Sequence, residues 1–578
     1  MGDTLLKADT VCLSLNLLKF LTGHIVIRKL EMVNIRLSFI RHDTVNNWMF
    51  ILRERMTNRL TTLQTGTNYA EAFDRLMGLI FDRIPRQIQI RNLIISGMTN
   101  GHEVLFSSSR FDMKNHSFSS GIRIKEDSLD CDWAVDGKID PGEHIMAFNL
   151  NSKDDKKVRL PFLKYRWGAA IGMDTLSFSF HEEDSGDDRV RVDGVAFIRS
   201  LSVDQENIAV KPVLFDKLAI RYMVTIGKDF AELDSSTEVI FNKLRFNPYV
   251  RYRHLPSKQI TLKIRKPDFP ADELFSSFPE GLFTNLNGIK VKGDLSFYFN
   301  FFVDLAVPDS LIFNMDLLRH RFSVLSYGDA GLYKIDSSFL YTAYDRAKPV
   351  RAFIVGPENP SFRPLNKISP YLRYSVLTSE DGGFYQHRGF LQDAFRASVI
   401  QDIKERRFAR GGSTISMQLV KNVFLSRNKT VGRKVEEALL VWLLENQGIT
   451  TKDRMFEVYL NIIEWGPMIY GAGEASHFYF DKEPLKLTLA ESIFLASIIP
   501  RPKWFIYSFD ETGHLRSSMA DYYRLVSGKM LSKGWITQQD WDRLLPDVEL
   551  KGPAKLFLKK KEPVPDDSLM MFENQEEE

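Results

Sequence analysis

Apolar and polar residues alternate with a period of two through the first half of the chain. Val11–Leu15 predicts a leading strand, and apolar residues from Ile25 to Phe39 then alternate with charged or polar ones. Because successive side chains of a strand point to opposite faces, this pattern predicts a half-buried sheet. Further strands are predicted at 176–180, 217–224, 260–264 and 289–299.

Two stretches interrupt the strand pattern with a helical period. Apolar residues recur at spacings of three and four between 69 and 84, and Asn68 with Glu71 forms a capping pair before them. A second, shorter helical insert is predicted at 271–287, between Pro270 and Gly288. The first half is therefore expected to be rich in strands and poor in helices.

This half contains a weak internal repeat and, separately, three local motifs that give it a family resemblance. Ile88–Leu93 repeats the pattern of Ile25–Leu30. The leading strand, Asn46-Asn47-Trp48 and Pro270-x-x-x-Leu274-Phe275 resemble AsmA-like proteins of the bacterial cell envelope. The resemblance implies a lipid-binding groove, whereas the simpler interpretation is a β-rich spacer, which we favour because apolar strand faces usually form core.

From about Tyr371 the period becomes helical, and the stretch Glu380–Phe390 stands out. It carries two adjacent carboxylates, a glycine pair and His387, a composition that suits chemistry better than packing. We expect Glu380 to act chemically and His387 to form a structural hydrogen bond. The simpler interpretation of Glu380 alone is a helix cap.

A glycine turn, Gly411-Gly412-Ser413-Thr414, follows. Ser413 or Thr414 can cap a helix running to Phe424, and the free amides of a helix N-terminus suit a phosphate group. On this helix one face carries an amide, a cation and a second amide: Gln418, Lys421 and Asn422. That face is predicted to bind substrate.

Three further helices are predicted downstream. The first carries Arg433, Lys434 and Glu437, so two carboxylates, Glu380 and Glu437, lie among lysines and arginines. This combination fits acid/base work at an anionic sugar substrate, although Glu437 alone is also explained as an ion-pair partner of Arg433. The second helix, opened by Thr451, carries Glu457, Tyr459 and Asn461. The third begins with the capping box Thr488–Glu491.

Together these motifs resemble, in order, the signature blocks of peptidoglycan glycosyltransferases. The matching positions are Glu380-Asp381-x-x-Phe384-x-x-His387-x-Gly389, Gly411-Gly412-Ser413-Thr414-Ile415-Ser416-x-Gln418-x-x-Lys421-Asn422, Arg433-Lys434-x-x-Glu437, Glu457-x-Tyr459-Leu460-Asn461 and 489–502. The match covers about 366–505 and resembles the transglycosylase module of class A penicillin-binding proteins and the monofunctional enzymes. Met417 departs from the glutamine usual in the family, and we expect it to tune activity.

The resemblance implies a lysozyme-like helical fold that polymerises lipid II into glycan strands with inversion. It implies that Glu380 is the general base on the acceptor hydroxyl and that Glu437 assists near the leaving diphosphate. The implied substrate-binding residues are Ser413, Thr414, Gln418, Lys421, Asn422, Arg433, Lys434, Glu457, Tyr459 and Asn461. The sequence holds no metal-ligand cluster. The family leaves open a divalent cation, Mg²⁺ or Mn²⁺, at the diphosphate beside Glu437.

Composition and net charge limit the number of domains, the classes of partner and the disulfide bonds that the chain can have. The 578 residues predict two to four domains, and a net charge of +3 is too small to indicate nucleic-acid binding. Cys12 and Cys131 permit at most one disulfide bond. No apolar run of eighteen residues occurs, so we expect the anchor to lie in an upstream segment. The stretch Trp465–Phe480 is either core or a membrane-facing edge.

We therefore predict an α+β multidomain chain. Residues 1–345 are the β-rich, AsmA-like region with one or two subdomains, 346–545 the all-α glycosyltransferase domain, and 546–578 a largely disordered tail. The expected partners are lipid II, the growing glycan strand, other cell-wall synthesis proteins and a membrane surface. The candidate membrane-binding surface is the basic run of Lys404, Arg406, Arg407 and Arg410 with Phe395, Phe408 and Trp465 near it, and its simpler interpretation is a solvated helix end. The expected location is the periplasmic face of the cytoplasmic membrane.

Two other functions compete with polymerisation. One is a lipid-transfer or scaffold protein whose glycosyltransferase module is degenerate, and the presence of both Glu380 and Glu437 argues against it. The other is a lytic enzyme that cleaves glycan. Cleavage needs no array of phosphate-binding cations, so Lys421 and Arg433 argue against it.

Overall fold

The computed structural model describes residues 4–15, 27–42, 45–48, 68–81, 84–99, 101–127, 129–153, 157–184, 188–406, 412–510 and 512–558. The chain divides into two compact units. The first comprises 1–283 and 291–322, and the second comprises 284–290 and 323–578. The first unit is rich in strands and the second holds the helices of the C-terminal half, as the two periods of the sequence predict.

One large sheet dominates the first unit. Its strands are β1 (Leu6–Lys7), β2 (Thr10–Leu15), β3 (Ile27–His42), β4 (Val45–Asn46), β5 (Gln87–Thr99), β6 (His102–Lys114), β7 (Ser117–Glu126), β8 (Leu129–Asp140), β9 (Ile145–Ser152), β10 (Val158–Arg159), β11 (Ala170–Met173), β12 (Thr175–Asp184), β13 (Val190–Asp204), β14 (Val213–Ile226), β15 (Phe230–Leu233), β16 (Glu238–Phe241), β17 (Leu244–Phe246), β18 (Pro248–Arg253), β19 (Gln259–Pro270), β20 (Ile289–Asp304) and β21 (Val307–Tyr327). Most neighbouring strands pair antiparallel, for example β5 with β6 and β12 with β13. All four of the strands predicted downstream of the first helix are present.

The weak repeat corresponds to a parallel pair, β3 and β5. The sheet aligns Leu30 with Ile88, a different register from the one in which Ile25 corresponds to Ile88. Asn34 and Asn92 occupy equivalent positions in the two strands, at the point where the regular pairing is interrupted. Both have left-handed backbones, with φ of 55° and 57°. Asn92 Nδ2 donates to Asn34 Oδ1 over 2.9 Å. Asparagine tolerates this conformation better than most other side chains, so the pairing of β3 with β5, and not the repeat, places a matching irregularity in both strands.

The described residues of the first unit form few helices. Helix α1 (Tyr69–Phe81) confirms the periodic prediction, with the amide of Glu71 donating to Asn68 Oδ1, and its buried Phe81 packs on Phe180 of the sheet. Helix α2 is Leu163–Trp167. The helix predicted over 271–287 is wrong in length. Helix α3 covers only Ala271–Phe275, because Pro279 and Gly281 cannot continue it.

The second unit is mainly helical. Its helices are α4 (Pro370–Glu380), α5 (Gln392–Glu405), α6 (Ile415–Phe424), α7 (Val431–Asn446), α8 (Lys452–Ile462), α9 (Gly471–Phe480), α10 (Leu489–Ile498), α11 (Met519–Ser532), α12 (Gln538–Asp542) and α13 (Lys555–Leu558). Two small hairpins accompany them: β22 (Phe339–Asp345) with β23 (Lys348–Val355), and β24 (Glu464–Gly466) with β25 (Ile469–Tyr470). Threonine side chains cap α6, α7, α8 and α10, the last in the predicted capping box.

The aromatic stretch Trp465–Phe480 is core. Trp465 and Tyr479 are fully buried, and Tyr479 donates its hydroxyl hydrogen to the Trp465 carbonyl over 2.6 Å. Most of the stretch is therefore core, with Met468 its exposed apolar residue. In the part of the chain that the structure describes, no helix has the length and apolar content needed to cross a membrane.

Part of the predicted tail is ordered. Val548, Leu550 and Ala554 are buried, and the amides of 551, 552 and 554 donate to carbonyls of α9. These apolar residues alternate too sparsely to produce a strong sequence signal. The last twenty residues of the tail, 559–578, lie outside the described part. Cys12 and Cys131 are both free thiols, so the one possible disulfide does not form.

Candidate active site

Glu380 is the last residue of α4, a helix that starts with Pro370 at its first position and buries Leu372, Val376 and Leu377. The carboxylate is half-buried. Burial raises the pKa of Glu380, while the hydrogen bond from Gln418 and the charge of Lys421 lower it and Asp381 raises it. A carboxylate that solvent reaches but that protein atoms largely desolvate is suited to accept a proton from a bound hydroxyl.

Gln418 on α6 orients this carboxylate. Its Nε2 donates to Glu380 Oε2 over 3.0 Å, and its Oε1 accepts from the Tyr459 hydroxyl over 3.1 Å. Tyr459 is fully buried on α8, and burial raises its pKa well above the ordinary value, with the Glu380 and Asp381 charges adding to the effect. The phenol therefore stays protonated and fixes which end of the Gln418 amide faces Glu380.

Asp381 and His387 join the end of α4 to the start of α6. Buried Asp381 accepts from His387 Nε2 over 2.9 Å and from the Ile415 amide over 3.0 Å. His387 Nδ1 accepts from the Gly389 amide over 2.9 Å. Because Nδ1 accepts a hydrogen bond, Nε2 carries the hydrogen and donates it in the hydrogen bond to Asp381. His387 thus forms the structural hydrogen bond expected from the sequence.

Thr414 rather than Ser413 caps α6. Its Oγ1 accepts from the Met417 amide over 3.2 Å and donates to the Gly389 carbonyl over 2.7 Å. Ser413 is exposed beside the cap. Gly411 of the glycine turn lies outside the described residues. Arg407, Phe408 and Arg410 of the basic run also lie outside them, whereas Arg406 is exposed and follows the last residue of α5.

A cationic cluster surrounds Glu437 on α7. Lys434 Nζ donates to Glu437 Oε1 over 2.8 Å, and Arg433 Nη1 lies 3.6 Å from Oε2. Burial lowers the pKa of Lys421, the Glu437 charge opposes this, and Arg427, Lys434 and Arg433 lower it further. Solvent still reaches Lys421, so its surroundings resemble the wall of an open cleft rather than a closed core.

Lys421 links the two carboxylates electrostatically. Its charge acts on Glu380, and Glu437 acts on it in turn. The fold therefore gathers Glu380, Gln418, Lys421, Arg433, Lys434 and Glu437, which the sequence scatters over 58 positions, into one site.

Two buried atoms of this cluster lack hydrogen bonds. They are Glu437 Oε2 and Arg433 Nε, and Arg427 Nε nearby shares the property. Unpaired buried polar atoms are rare because each costs desolvation without a compensating bond. A donor and an acceptor left unpaired among cations are where an anionic group with hydroxyls would bind.

The residues present do not form a ligand set for a divalent cation. Glu437 offers one unpaired oxygen, and its neighbours are lysines and arginines that would repel the ion. The described ranges contain no group of three histidine, cysteine, aspartate or glutamate side chains placed to bind a metal.

Three further predicted substrate-binding residues also have intramolecular partners. Asn422 Oδ1 accepts from Arg427 Nη1 over 2.9 Å. Glu457 Oε2 accepts from the Leu365 amide over 2.7 Å. Asn461 accepts from the Arg363 amide over 3.0 Å and donates to the Arg363 carbonyl over 2.9 Å. The bonds of Glu457 and Asn461 account for how α8 holds the segment before α4. A role of all three residues in binding substrate stays a prediction.

Sequence reasoning missed several residues that shape the site. Arg427 acts on Lys421, and Glu445 of α7 accepts from Ser416 and, over 2.6 Å, from Lys452. Lys533 donates to the Gly382 carbonyl over 2.7 Å, beside the two acidic residues. Arg427 lies within the motif region and was available as a basic residue near Lys421. The partners of Glu445 and Lys533 left no local signal.

Comparison with known proteins agrees with this geometry. The transglycosylase family matches residues 347–522. A biosynthetic peptidoglycan transglycosylase of Chromobacterium violaceum is 42% identical over 142 residues, which cover 25% of this chain and 61% of the relative. Those of Methylobacillus flagellatus and Nitrosospira multiformis are 37% and 38% identical over 28% and 29% of this chain and 69% and 70% of each relative.

The match is confined to the helical unit of this chain, since residues 347–522 all lie within 323–578. The chain spans only 61% and 58% of the length of the first two relatives that it matches. It spans more than two thirds of two others at well over 30% identity. The chain therefore belongs to the peptidoglycan transglycosylase family.

Proposed function

We propose that the chain is a peptidoglycan glycosyltransferase that polymerises lipid II into β-1,4-linked glycan strands and releases polyprenyl diphosphate. One observation carries the proposal: Glu380 is desolvated, aligned by Gln418, and coupled through Lys421 to the cations around Glu437. This arrangement supplies a base at one end of the site and positive charge at the other.

The reaction requires both ends. The acceptor sugar hydroxyl gives its proton to Glu380 as its oxygen attacks the anomeric carbon of the donor. The new carbon–oxygen bond forms on the face opposite the breaking bond to the diphosphate, so the configuration inverts. A carboxylate with a raised pKa is a stronger base than an ordinary one, which favours this proton transfer.

The leaving diphosphate carries the negative charge that develops in the transition state. Lys421, Arg433 and Lys434 can neutralise it, and the unpaired Arg433 Nε supplies an N–H for a phosphate oxygen. Glu437 holds Arg433 and Lys434 in place through its own carboxylate. We assign Glu437 the part of orienting these cations.

The remaining features of the proposal follow from the substrate. The helical unit is lysozyme-like and acts at the periplasmic face of the cytoplasmic membrane, where the polyprenyl tail of lipid II is held. The β-rich unit is an AsmA-like spacer, and partners from cell-wall synthesis consume the product strand. The β-rich unit has a cavity of about 520 Å³, lined in part by Phe118, Phe148 and Phe178. This cavity is where a bound lipid would be sought if the unit were a lipid carrier.

Incubation with lipid II, followed by separation of products by length, tests the proposal. Long glycan strands are the expected product. Unchanged lipid II would favour the scaffold alternative with a degenerate module. Shortening of preformed strands would favour a lytic enzyme. Parallel measurement of released polyprenyl diphosphate checks that strand growth and diphosphate release occur in equal amounts, as the balanced reaction requires.

A further inference from the structure

Residues 284–290 belong to the helical unit, although the sequence on either side of them belongs to the β-rich unit. They precede the family match, which begins at 347. The segment is therefore a part of the helical unit that lies outside the region matched by the transglycosylase family.

Glu436 of α7 is held by this segment. Its side chain is 3% exposed, and its Oε1 accepts from the amides of Thr284 over 2.9 Å, Leu286 over 3.1 Å and Asn285 between them. Three consecutive amides that converge on one oxygen form a concave site for negative charge. A buried carboxylate is costly without such partners, so this contact is specific rather than incidental packing.

The segment is itself fixed within the helical unit. Leu286 is 3% exposed, and the Asn287 carbonyl accepts from the Asp329 amide over 3.1 Å. Gly328, with φ of 55°, lies so close to that carbonyl that a Cβ there would be 2.0 Å from the oxygen. The amides that hold Glu436 thus belong to a braced turn.

The place of Glu436 on α7 connects this turn to the site. Glu436 and Glu437 are adjacent, so their side chains project about 100° apart around the helix. Glu436 faces the turn, and Glu437 faces Arg433 and Lys434. Fixing Glu436 therefore fixes the rotation of α7, which sets where Glu437 and its cations point.

We propose that Glu436 and the amides of 284–286 form a latch that positions Glu437 and Arg433 for the leaving diphosphate. The inference rests on the proposed function and adds a positioning residue to it. The latch is built from a segment of this chain outside the matched family region, so the minimal active unit must include 284–290 as well as 323–558.

The test compares Glu436→Ala, Glu436→Gln and Glu491→Gln in the full chain. Glu436→Ala leaves three amides without an acceptor, and Glu436→Gln keeps a carbonyl oxygen for them. Glu491 of α10 is a capping-box carboxylate that pairs with Lys482. Its amide variant is therefore a control for stability loss alone. Steady-state kinetics with lipid II separates kcat from KM, and hydrogen exchange reports the amides of 284–286.

We expect Glu436→Ala to lower kcat about 10- to 100-fold with little change in KM, because misplaced catalytic groups cost turnover more than binding. Exchange at 284–286 should accelerate. Glu436→Gln should retain most of the wild-type kcat. In a Glu437→Gln background, Glu436→Ala should cause no further loss, since both act through the same groups.

Several results would overturn the latch. They are an unchanged kcat in a folded Glu436→Ala protein, a loss equal to that of an equally destabilised Glu491→Gln protein, and losses that multiply in the double variant. If Glu436→Ala does not fold, the folded Glu436→Gln protein decides. Slowed turnover together with rapid exchange of the 284–286 amides supports the latch. Wild-type turnover together with rapid exchange of these amides refutes it. A wild-type chain without polymerase activity refutes the proposed function, whereas exchange at 284–286 still tests the contact.

Discussion

Gln418 donates from its Nε2 to Glu380 Oε2 over 3.0 Å, although the two residues are 38 positions apart in the chain. The bond has a chemical consequence because it opposes burial: burial raises the pKa of Glu380, and the Gln418 hydrogen bond lowers it. Gln418 therefore sets the lower pH limit at which Glu380 can act as a base. The Tyr459 hydroxyl fixes the amide in this orientation.

Removal of this hydrogen bond should shift the pH dependence of turnover. In Gln418→Leu the pKa of Glu380 rises further, so Glu380 stays protonated up to a higher pH. We expect the acid limb of the kcat/KM profile to move to higher pH. The measurement is the rate of glycan synthesis across pH.

Tyr459 provides the control for that experiment. In Gln418→Leu the buried Tyr459 hydroxyl loses its acceptor, which costs stability. The double variant with Tyr459→Phe removes both partners and should recover stability while keeping the shifted acid limb. An acid limb at the wild-type position in both variants would show that Gln418 does not control the base.

Lys421 should contribute to activity at the expense of stability. Its folded-state pKa is lowered by burial, so the charged lysine is less favourable in the folded than in the unfolded chain. This cost is present at pH values below the folded pKa and is relieved as pH rises through it. Lys421→Met should therefore lose most turnover and unfold at the same or a higher temperature near neutral pH. A lowered unfolding temperature would contradict this account.

Glu437→Gln tests whether the second carboxylate orients cations rather than transferring protons. The amide keeps the shape and loses the charge that holds Lys434 and Arg433. Lys421, Arg433 and Lys434 can still meet the diphosphate, so we expect kcat to fall roughly 10- to 100-fold. Steady-state kinetics on lipid II measures this, and wild-type kcat in the variant would reject the assignment.

The sequence predicted those features that are local in the chain. Thr488 and Glu491 form the expected capping box because both partners lie within one turn, and α1 appears where the apolar period changes. The residues of the site were identifiable for the same reason. Glu380, Lys421 and Glu437 each sit in a short block of fixed spacing.

Long-range partners could not be predicted in this way. The amides that hold Glu436 are about 150 positions upstream, and an amide has no sequence signature. Trp465 is ambiguous in sequence because an apolar run suits a core and a membrane edge equally, and only packing decides. The prediction that the helix continues past Phe275 was wrong. The apolar period of the sequence favoured a longer helix there, whereas Pro279 and Gly281 end it.

The assignment of Glu380 as the general base can be tested by replacing this residue with glutamine. Wild type and Glu380→Gln are incubated with lipid II, and glycan length and lipid II binding are measured on the same samples. We expect Glu380→Gln to lose roughly 100- to 10,000-fold in polymerisation rate while it folds and binds lipid II as wild type does. Wild-type polymerisation by a folded Glu380→Gln protein would show that Glu380 is not the base.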